Sequence, residues 1–218
     1  MCTGHSLISK TCVPIVNKVH SLVIGVDEAG RGPLAGPVLS AAVAIEEVID
    51  GVRDSKRISA GKRETLFNLI VEKAIAFGIG IASWEEIDKW NILNATLLSM
   101  KRALASFEMD YRMKFRAFPS GAIVLVDGNR KIPDIEFTQK TIVKGDALVY
   151  EISAASIIAK VTRDRIMIAL SRKYPQYAFE RHKGYPTHLH KILLGEFGAC
   201  EVHRKTFLRG VYEEKRLW

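Results

Sequence analysis

Short, strongly apolar runs separated by polar or glycine-rich stretches mark the first two thirds of the chain. Four of these runs are too short for ordinary helices, and a fifth alternates apolar and polar positions, so all five predict β-strands. The predicted strands cover residues 22–28, 38–45, 77–83, 122–128 and 137–143.

Longer segments with apolar positions every three or four residues predict helices between and after these strands. They cover residues 60–77, 91–107, 147–173 and 186–198. Ser59 is a suitable N-cap for the first helix, Gly78 is expected to end it, and Pro186 suits the start of the last. Strands therefore dominate early and helices late, an order that predicts an α/β sheet domain followed by a helical region.

This order also suggests how the chain is divided. Residues 1–20 are predicted to form a flexible N-terminal extension, residues 21–170 the sheet domain, and residues 171–218 a helical, basic C-terminal region packed on that domain. No apolar run approaches about 18 residues, so no membrane span is expected. The three cysteines are an odd number without a C-x-x-C pair, which favours reduced thiols and a cytoplasmic location.

The formal net charge of +8 indicates a surface that attracts polyanions. The excess is concentrated in residues 171–218, which hold ten lysines and arginines but five acidic residues. This distribution favours a nucleic-acid partner, although charge alone does not distinguish a nuclease from a binding module.

Four acidic residues lie where predicted strands or loops end. Asp27 and Glu28 close the first strand, Asp127 closes the fourth, and Asp146 precedes the longest helix. Clustered carboxylates repel one another unless a cation joins them, and Mg²⁺ and Mn²⁺ prefer such oxygen ligands. The alternatives from the residues alone are a hairpin turn at Asp127 and a helix N-cap at Asp146. Because strand neighbours point to opposite faces, Asp27 and Glu28 can share a site only where the chain turns.

The loop that follows the first strand, residues 30–36, is rich in glycine. Its third glycine is one residue late for a dinucleotide fingerprint and a strand rather than a helix follows, so we expect no dinucleotide site. Glycines also let the backbone approach a ribose closely enough to detect its 2′-hydroxyl, and Arg31 would then meet phosphate.

Six motifs together resemble the ribonuclease HII family. They occur in the family's order between residue 22 and about residue 206, and the first and fifth are long and specific. The motifs are VDEAGRGPLAGP (26–37), DSK (54–56), VDGN (126–129), KGDA (144–147), AASIIAKVTRD (154–164) and HKGYPT (182–187). The resemblance implies a ribonuclease H-like mixed sheet flanked by helices. It also implies an endonuclease that hydrolyses the RNA strand of RNA–DNA hybrids and cuts 5′ to single ribonucleotides in duplex DNA.

Residue roles follow from the same resemblance. Asp27, Glu28, Asp127 and Asp146 would form the catalytic centre and bind two Mg²⁺ or Mn²⁺ ions. The loop residues Gly30, Arg31 and Gly32 would read the ribose 2′-hydroxyl, Tyr185 would stack on the following sugar, and Lys56 would contact a phosphate. The products would carry 3′-hydroxyl and 5′-phosphate ends, and the enzyme is expected to be a monomer. The sequence departs from the commoner GYGT pattern at Pro186, which bears on the approach of Tyr185.

Several choices stay open at this stage. Asp164 competes with Asp146 for the fourth carboxylate, although local charge pairing on a solvated helix face is the simpler interpretation of Asp164. His188 and His190 are two residues apart and are expected at the surface or facing phosphate, and Arg204 with Lys205 is expected to be solvated or to contact a duplex. A nuclease of the same fold acting on DNA and a hybrid-binding module without catalysis are the alternative functions.

Overall fold

A five-stranded mixed sheet forms the centre of the molecule in a computed structural model, which describes residues 22–52 and 58–214, with side chains to residue 209. Its strands are β1 Val23–Ala29, β2 Val38–Ala44, β3 Ala76–Ala82, β4 Ile123–Asp127 and β5 Thr138–Ile142. The strand order is β3-β2-β1-β4-β5. The β1–β2 and β2–β3 pairs are antiparallel, whereas β4 runs parallel to β1 and to β5.

Helices cover both faces of this sheet and continue beyond it. They are α1 Ala60–Lys73, α2 Trp84–Lys114, α3 Gly145–Leu148, α4 Tyr150–Lys173, α5 Phe179–His182, α6 His188–Phe197 and α7 Lys205–Glu214. A short 3-10 helix, Pro175–Tyr177, joins α4 to α5. The predicted α/β architecture with a mixed sheet and a helical C-terminal region is confirmed. No described helix has a long enough apolar stretch to cross a lipid bilayer.

Side chains alternate between the two faces along each strand, so a separate hydrophobic core forms on each face of the sheet. Leu39, Ala41 and Val43 of β2 pack with α1 and α4, and Ala42 and Ala44 pack with α2. Every residue of β2 is buried, which explains why its sequence is apolar at every position except Ser40.

The predicted helix over residues 60–77 is too long, because it ends at Lys73 and the chain enters β3 at Ala76. Gly78 therefore lies inside a strand rather than at a helix end. A Cβ atom at Gly78 would lie 2.1 Å from the backbone nitrogen of Phe107 in α2. The glycine is needed because α2 packs closely on the sheet at this position. The local sequence pattern does not distinguish such a glycine from one that ends a helix.

Other boundaries also depend on tertiary context. The helix predicted over 91–107 extends from Trp84 to Lys114, with a capping box at Ser83 and a kink at Asn91, whose φ is 65°. The pattern over 147–173 is broken at Val149 into α3 and α4. Pro186 precedes the helix rather than starting it, because Thr187 is the N-cap of α6.

Residues after 171 contact the sheet domain through the glycine-rich loop. Leu34 packs with Leu194 and Leu208, and an isolated β-bridge joins Ala35 to His203. These contacts place α6 and α7 beside the loop that follows β1. The boundary at residue 171 and the role of residues 1–20 stay predictions, and residues 1–21 lie outside the described part of the chain.

Candidate metal centre and substrate groove

Three carboxylates meet at the carboxyl-terminal ends of β1 and β4. Asp27 and Glu28 lie on β1, and Asp127 is the last residue of β4, the parallel neighbour of β1. Each residue offers one ligand oxygen, and these oxygens lie within 4.8 Å of one another. Parallel pairing of the two strands therefore joins acids that are a hundred residues apart in the sequence.

Asp27 and Glu28 share one site although both are still paired with β2 in β1, which ends at Ala29, so the expected turn of the chain at Glu28 is not what joins them. The backbone N–H of Glu28 donates to Oδ1 of Asp27 over 2.7 Å, so the Asp27 carboxylate folds back toward the following peptide. Glu28 is further tied to Arg31, whose Nη1 lies 3.3 Å from its Oε1. The alternation of strand side chains therefore does not separate these two acids.

Burial and mutual repulsion make the cluster electrostatically unfavourable by itself. The pKa of Asp27 is raised well above its ordinary value, first by desolvation and then by the charges of Glu28 and Asp127. Desolvation also raises the pKa of Glu28, partly opposed by Arg31. Hydrogen bonds from Ser156 and from the Glu28 backbone act in the opposite direction on Asp27. A divalent cation would remove this repulsion, so the donor set and its electrostatics fit a hard metal ion.

Asp127 is held by the start of α3. The backbone N–H of Gly145 donates to Oδ1 of Asp127 over 2.7 Å, and the N–H of Gly128 donates to the carbonyl oxygen of Ile142. Because β4 and β5 are parallel, the hairpin-turn interpretation of Asp127 is wrong. A Cβ atom at Gly145 would lie 2.6 Å from Ile152, so this glycine permits the close approach of α3.

Asp146 lies next to this contact but outside the group of three carboxylates. It is buried, with 4% of its surface exposed, and it belongs to the first turn of α3. Its interpretation as an N-cap is wrong, because Lys144 occupies that position in a left-handed conformation. Asp164 is partly exposed and its Oδ1 lies 2.7 Å from Nζ of Lys160, the local charge pairing expected for residues four apart on a helix.

The glycine-rich loop after β1 is anchored by two fully buried arginines. Arg163 of α4 donates to the carbonyl oxygens of Ala35, Pro37 and Lys183 over 3.0–3.1 Å. Arg204, which precedes α7, donates over 2.6–3.2 Å to four loop carbonyls, those of Gly30, Arg31, Gly36 and Pro37. Both guanidinium groups thus exchange water for backbone oxygens, which offsets the cost of their burial.

The expectation that Arg204 is solvated or contacts a duplex is therefore wrong, whereas its neighbour Lys205 is exposed. Burial, followed by the charge of Arg163, lowers the pKa of Arg204 to about 9. That pKa still lies above neutral pH, so the guanidinium group keeps its charge and its full set of donors.

A groove of about 400 Å³ opens between this loop and α4, directly beside the carboxylates. Glu28, Gly30, Arg31 and Gly32 line one side of it. Arg63, Ser156, Lys160 and Tyr185 also line it. The ring of Tyr185 is 38% exposed and lies 5.7 Å from Nζ of Lys160, measured to the ring centroid. Acids, loop backbone, cations and an aromatic face thus share one surface.

The predicted site residues differ in where the structure places them. Asp27, Glu28 and Asp127 form the carboxylate cluster, and the substrate-binding set of Gly30, Arg31, Gly32 and Tyr185 lines the groove beside it. Asp146 lies one residue from the amide that binds Asp127. Lys56 lies outside the described residues, because residues 53–57 are not described.

Sequence reasoning missed the residues that support this groove from behind. It assigned no role to Arg163, and it expected His190 at the surface, whereas His190 is fully buried and only His188 is exposed. A usable signal was present in the fifth motif, where Arg163 follows a stretch of α4 that is apolar or small apart from Lys160.

Comparisons with known proteins agree with this geometry. A family model described as Ribonuclease HII matches residues 24–214. Ribonuclease HII of Caldicellulosiruptor bescii is 46% identical over 199 residues, covering 90% of this chain and 91% of its own. Ribonuclease HII of Polynucleobacter asymbioticus is 51% identical over 187 residues, covering 85% of this chain and 92% of its own.

The crystal structure of ribonuclease H2 from Pyrococcus horikoshii OT3 has the same fold. It is 30% identical, has a TM-score of 0.67 and covers 89% of this chain and 98% of that chain. This likeness confirms the ribonuclease H-like sheet, and the family match confirms the resemblance carried by the six motifs. The chain belongs to the ribonuclease HII family and is a ribonuclease H.

Proposed function

We propose that this enzyme hydrolyses the RNA strand of RNA–DNA hybrids and cuts 5′ to single ribonucleotides embedded in duplex DNA, leaving 3′-hydroxyl and 5′-phosphate ends. The observation that carries the proposal is that the carboxylate cluster and the groove lie directly beside each other and share Glu28. A cluster of carboxylates suited to metal ions adjoins a groove whose backbone amides and aromatic ring suit a sugar.

Asp27, Glu28 and Asp127 would hold the metal ions in this proposal, with Asp146 as the fourth carboxylate. Two Mg²⁺ or Mn²⁺ ions would supply Lewis-acid stabilisation of the attacking and leaving oxygens at the phosphorus. The protein keeps its ligands rigid for this purpose, because Asp127 is fixed by the Gly145 amide and Asp27 by the Glu28 amide. Asp146 directly follows Gly145, whose amide donates to Asp127, and this adjacency supports its proposed role.

The orientation of two peptide groups supports recognition of the ribose by the loop. The carbonyl oxygens of Gly30 and Arg31 point to Arg204 in the interior, and the described residues contain no cis peptide bonds. In a trans peptide the C=O and the following N–H point in opposite directions. The N–H groups of Arg31 and Gly32 therefore point away from Arg204, on the side where both residues are exposed to the groove.

Two donors side by side suit the oxygen of a 2′-hydroxyl group, which DNA lacks. Gly30 allows this geometry, because its φ of 99° is unfavourable for other residues and a Cβ atom would lie 2.0 Å from Nε of Arg163. Discrimination between RNA and DNA would thus depend on backbone position rather than on a side chain.

Basic side chains beside the loop would hold the phosphates. Lys160 and Arg63 line the groove, Arg31 is exposed at its edge, and we infer the same role for Lys56. Since the attraction of Lys and Arg for phosphate is screened by salt, substrate affinity should fall as ionic strength rises.

Cleavage of a duplex that contains one ribonucleotide tests the proposed function directly. Incubation with Mn²⁺ or Mg²⁺ should give a single nick 5′ to the ribonucleotide, and EDTA should abolish it. Mass spectrometry of the products should find one 3′-hydroxyl and one 5′-phosphate end. Cleavage of an all-DNA duplex at a comparable rate would instead indicate a DNA nuclease, and salt-sensitive binding without cleavage would indicate a binding module.

Substitution of Tyr185 tests the sugar-stacking role. Tyr185→Ala should reduce cleavage at single ribonucleotides by about tenfold, the effect of losing one aromatic stacking contact. The ring is partly exposed, so the midpoint of urea unfolding should change little. Tyr185→Phe is the matched control, because it keeps the ring, and it should retain most of the activity. Equal cleavage rates for the alanine variant and the unchanged protein would remove Tyr185 from substrate recognition.

A further inference from the structure

Three buried histidines lie directly behind the segment that carries Tyr185. His182, His190 and His203 are 7%, 0% and 1% exposed, and they come from α5, α6 and the turn before α7. The rings of His182 and His190 stack with their centroids 4.3 Å apart, and those of His190 and His203 are 5.3 Å apart. Neither the metal centre nor the proposed chemistry uses them.

Backbone partners determine which nitrogen of each ring carries the proton. The N–H of Cys200 donates to Nδ1 of His203 over 3.1 Å, so in the neutral ring Nε2 of His203 carries the hydrogen. That Nε2 lies 3.1 Å from Nε2 of His190, which must then accept. Nδ1 of His190 is left as the donor to the carbonyl oxygen of Tyr185, at 2.9 Å.

The third ring is oriented in the same way. The N–H of Gly184 donates to Nδ1 of His182 over 3.2 Å, and Nε2 of His182 therefore donates to the carbonyl oxygen of Tyr177, at 2.9 Å. Each ring therefore has one nitrogen that donates and one that accepts. A second proton on any ring would sit on the accepting nitrogen and point at the hydrogen of its donor. Burial, the largest cause, lowers the pKa of His190 and of His203 to about 4, which agrees with neutral rings.

Two hydrogen bonds connect the histidines to the backbone of the segment that carries the tyrosine ring. His182 accepts from Gly184 and His190 donates to Tyr185. The same segment is joined to the glycine-rich loop, because the N–H of Leu34 donates to the carbonyl oxygen of Gly184 over 2.8 Å. Thr187 supplies a second donor to the Tyr185 carbonyl, also over 2.8 Å.

We propose that His190 and His203 are positioning residues for substrate recognition, acting through a one-directional hydrogen-bond chain from Cys200 to the Tyr185 carbonyl. This proposal rests on the proposed function of Tyr185. It assigns to the histidines neither metal binding nor proton transfer. Their role is to hold the backbone of residue 185 so that its ring faces the groove beside Gly32.

Two variants of His190 separate this role from a general effect on packing. The amide nitrogen of an asparagine side chain can take the place of Nδ1, so His190→Asn can keep the bond to Tyr185 and lose the one to His203. The amide of a glutamine side chain reaches the place of Nε2, so His190→Gln can keep the bond to His203 and lose the one to Tyr185. Both variants replace the same buried ring, and both should lower the unfolding midpoint.

Steady-state cleavage of the duplex with one ribonucleotide should distinguish the two variants. We expect His190→Gln to raise KM about fivefold, the effect of one lost hydrogen bond, with kcat nearly unchanged, and His190→Asn to stay within about twofold of the original KM. His188→Gln, on the exposed side of the same helix, is the control and should change neither constant. The same KM for both His190 variants would overturn the proposal.

A spectroscopic test does not depend on activity or on the folding of a variant. In the unchanged protein near pH 7, imidazole ¹⁵N shifts should show the proton on Nδ1 of His190 and on Nε2 of His203 and His182. The opposite tautomer at His190 would overturn the proposed chain. Failure of the unchanged protein to cleave the ribonucleotide duplex would refute the proposed function, whereas the ¹⁵N shifts would still report on the chain.

Discussion

Asp27→Asn is expected to abolish metal-dependent cleavage while leaving binding of an RNA–DNA hybrid intact. The substitution keeps the size of the side chain and an oxygen that can accept from the Glu28 amide, but it removes the charge that a divalent cation requires. Loss of one ligand from such a centre should lower kcat by on the order of a thousandfold, equivalent to about 4 kcal/mol of transition-state stabilisation. Asp127→Asn should behave in the same way.

Stability should change in the opposite direction to activity. In the folded protein the pKa of Asp27 is raised, so between its unfolded and folded pKa values the native state holds a proton that the unfolded chain has lost. The stability of the metal-free protein therefore falls as pH rises through that window. Asp27→Asn lacks this penalty and should unfold at a higher urea concentration than the unchanged protein at pH 7.5 in EDTA.

Two further carboxylates serve as comparison and control for this experiment. Asp164→Asn removes an acid that is paired with Lys160 on the helix surface, and it should retain nearly full activity. Asp146→Asn should lower activity strongly if Asp146 is the fourth carboxylate. Measured kcat with Mn²⁺, together with hybrid affinity in EDTA, separates loss of chemistry from loss of binding. Full activity of Asp27→Asn would end the assignment of this site.

Arg204→Met is expected to cause the largest loss of stability of any single substitution considered for this groove. The side chain is fully buried, and its guanidinium group donates to the carbonyl oxygens of Gly30, Arg31, Gly36 and Pro37. Methionine fills similar space but leaves these buried acceptors without that partner, so the free energy of unfolding should fall by about 3 kcal/mol or more. Urea unfolding measures this change.

The same substitution should also impair recognition of the ribonucleotide below the unfolding temperature. Without Arg204 the peptides of Gly30 and Arg31 lose the contacts that direct the amides of Arg31 and Gly32 toward the groove. KM for the single-ribonucleotide duplex should therefore rise even at 10 °C, where the folded state is populated. Lys205→Met is the matched control because Lys205 is exposed, and it should change stability by less than about 0.5 kcal/mol. A stable, fully active Arg204→Met variant would contradict the anchoring role.

Arg163 and Arg204 should not behave independently. Both donate to the carbonyl oxygen of Pro37, from α4 and from the segment before α7 respectively. Residues that share a partner are non-additive in double-mutant cycles. The two arginines thus form one support for the loop.

The amino-acid sequence by itself determined the order of the five strands and of helices α1, α2, α4 and α6, the acids of the candidate metal centre and the family, but it did not predict α5 or α7. These features depend on local patterns: β-strands have a period of two, their ends carry the functional acids, and the loop motif VDEAGRGPLAGP is continuous in the chain. For the same reason Gly78 was misread, because a glycine that admits a neighbouring helix looks like one that ends a helix.

Only the tertiary structure decided which charged and polar residues are buried. Arg204 and His190 lie in segments whose composition is typical of a surface, and an isolated cation or imidazole is most stable in water. Arg204 becomes stable inside because a loop more than 160 residues earlier turns four carbonyl oxygens toward it. His190 is stable inside because its two ring nitrogens form hydrogen bonds with His203 and with the carbonyl oxygen of Tyr185. Such partners come from distant parts of the chain, and a local pattern of hydrophobic and polar residues contains no information about them.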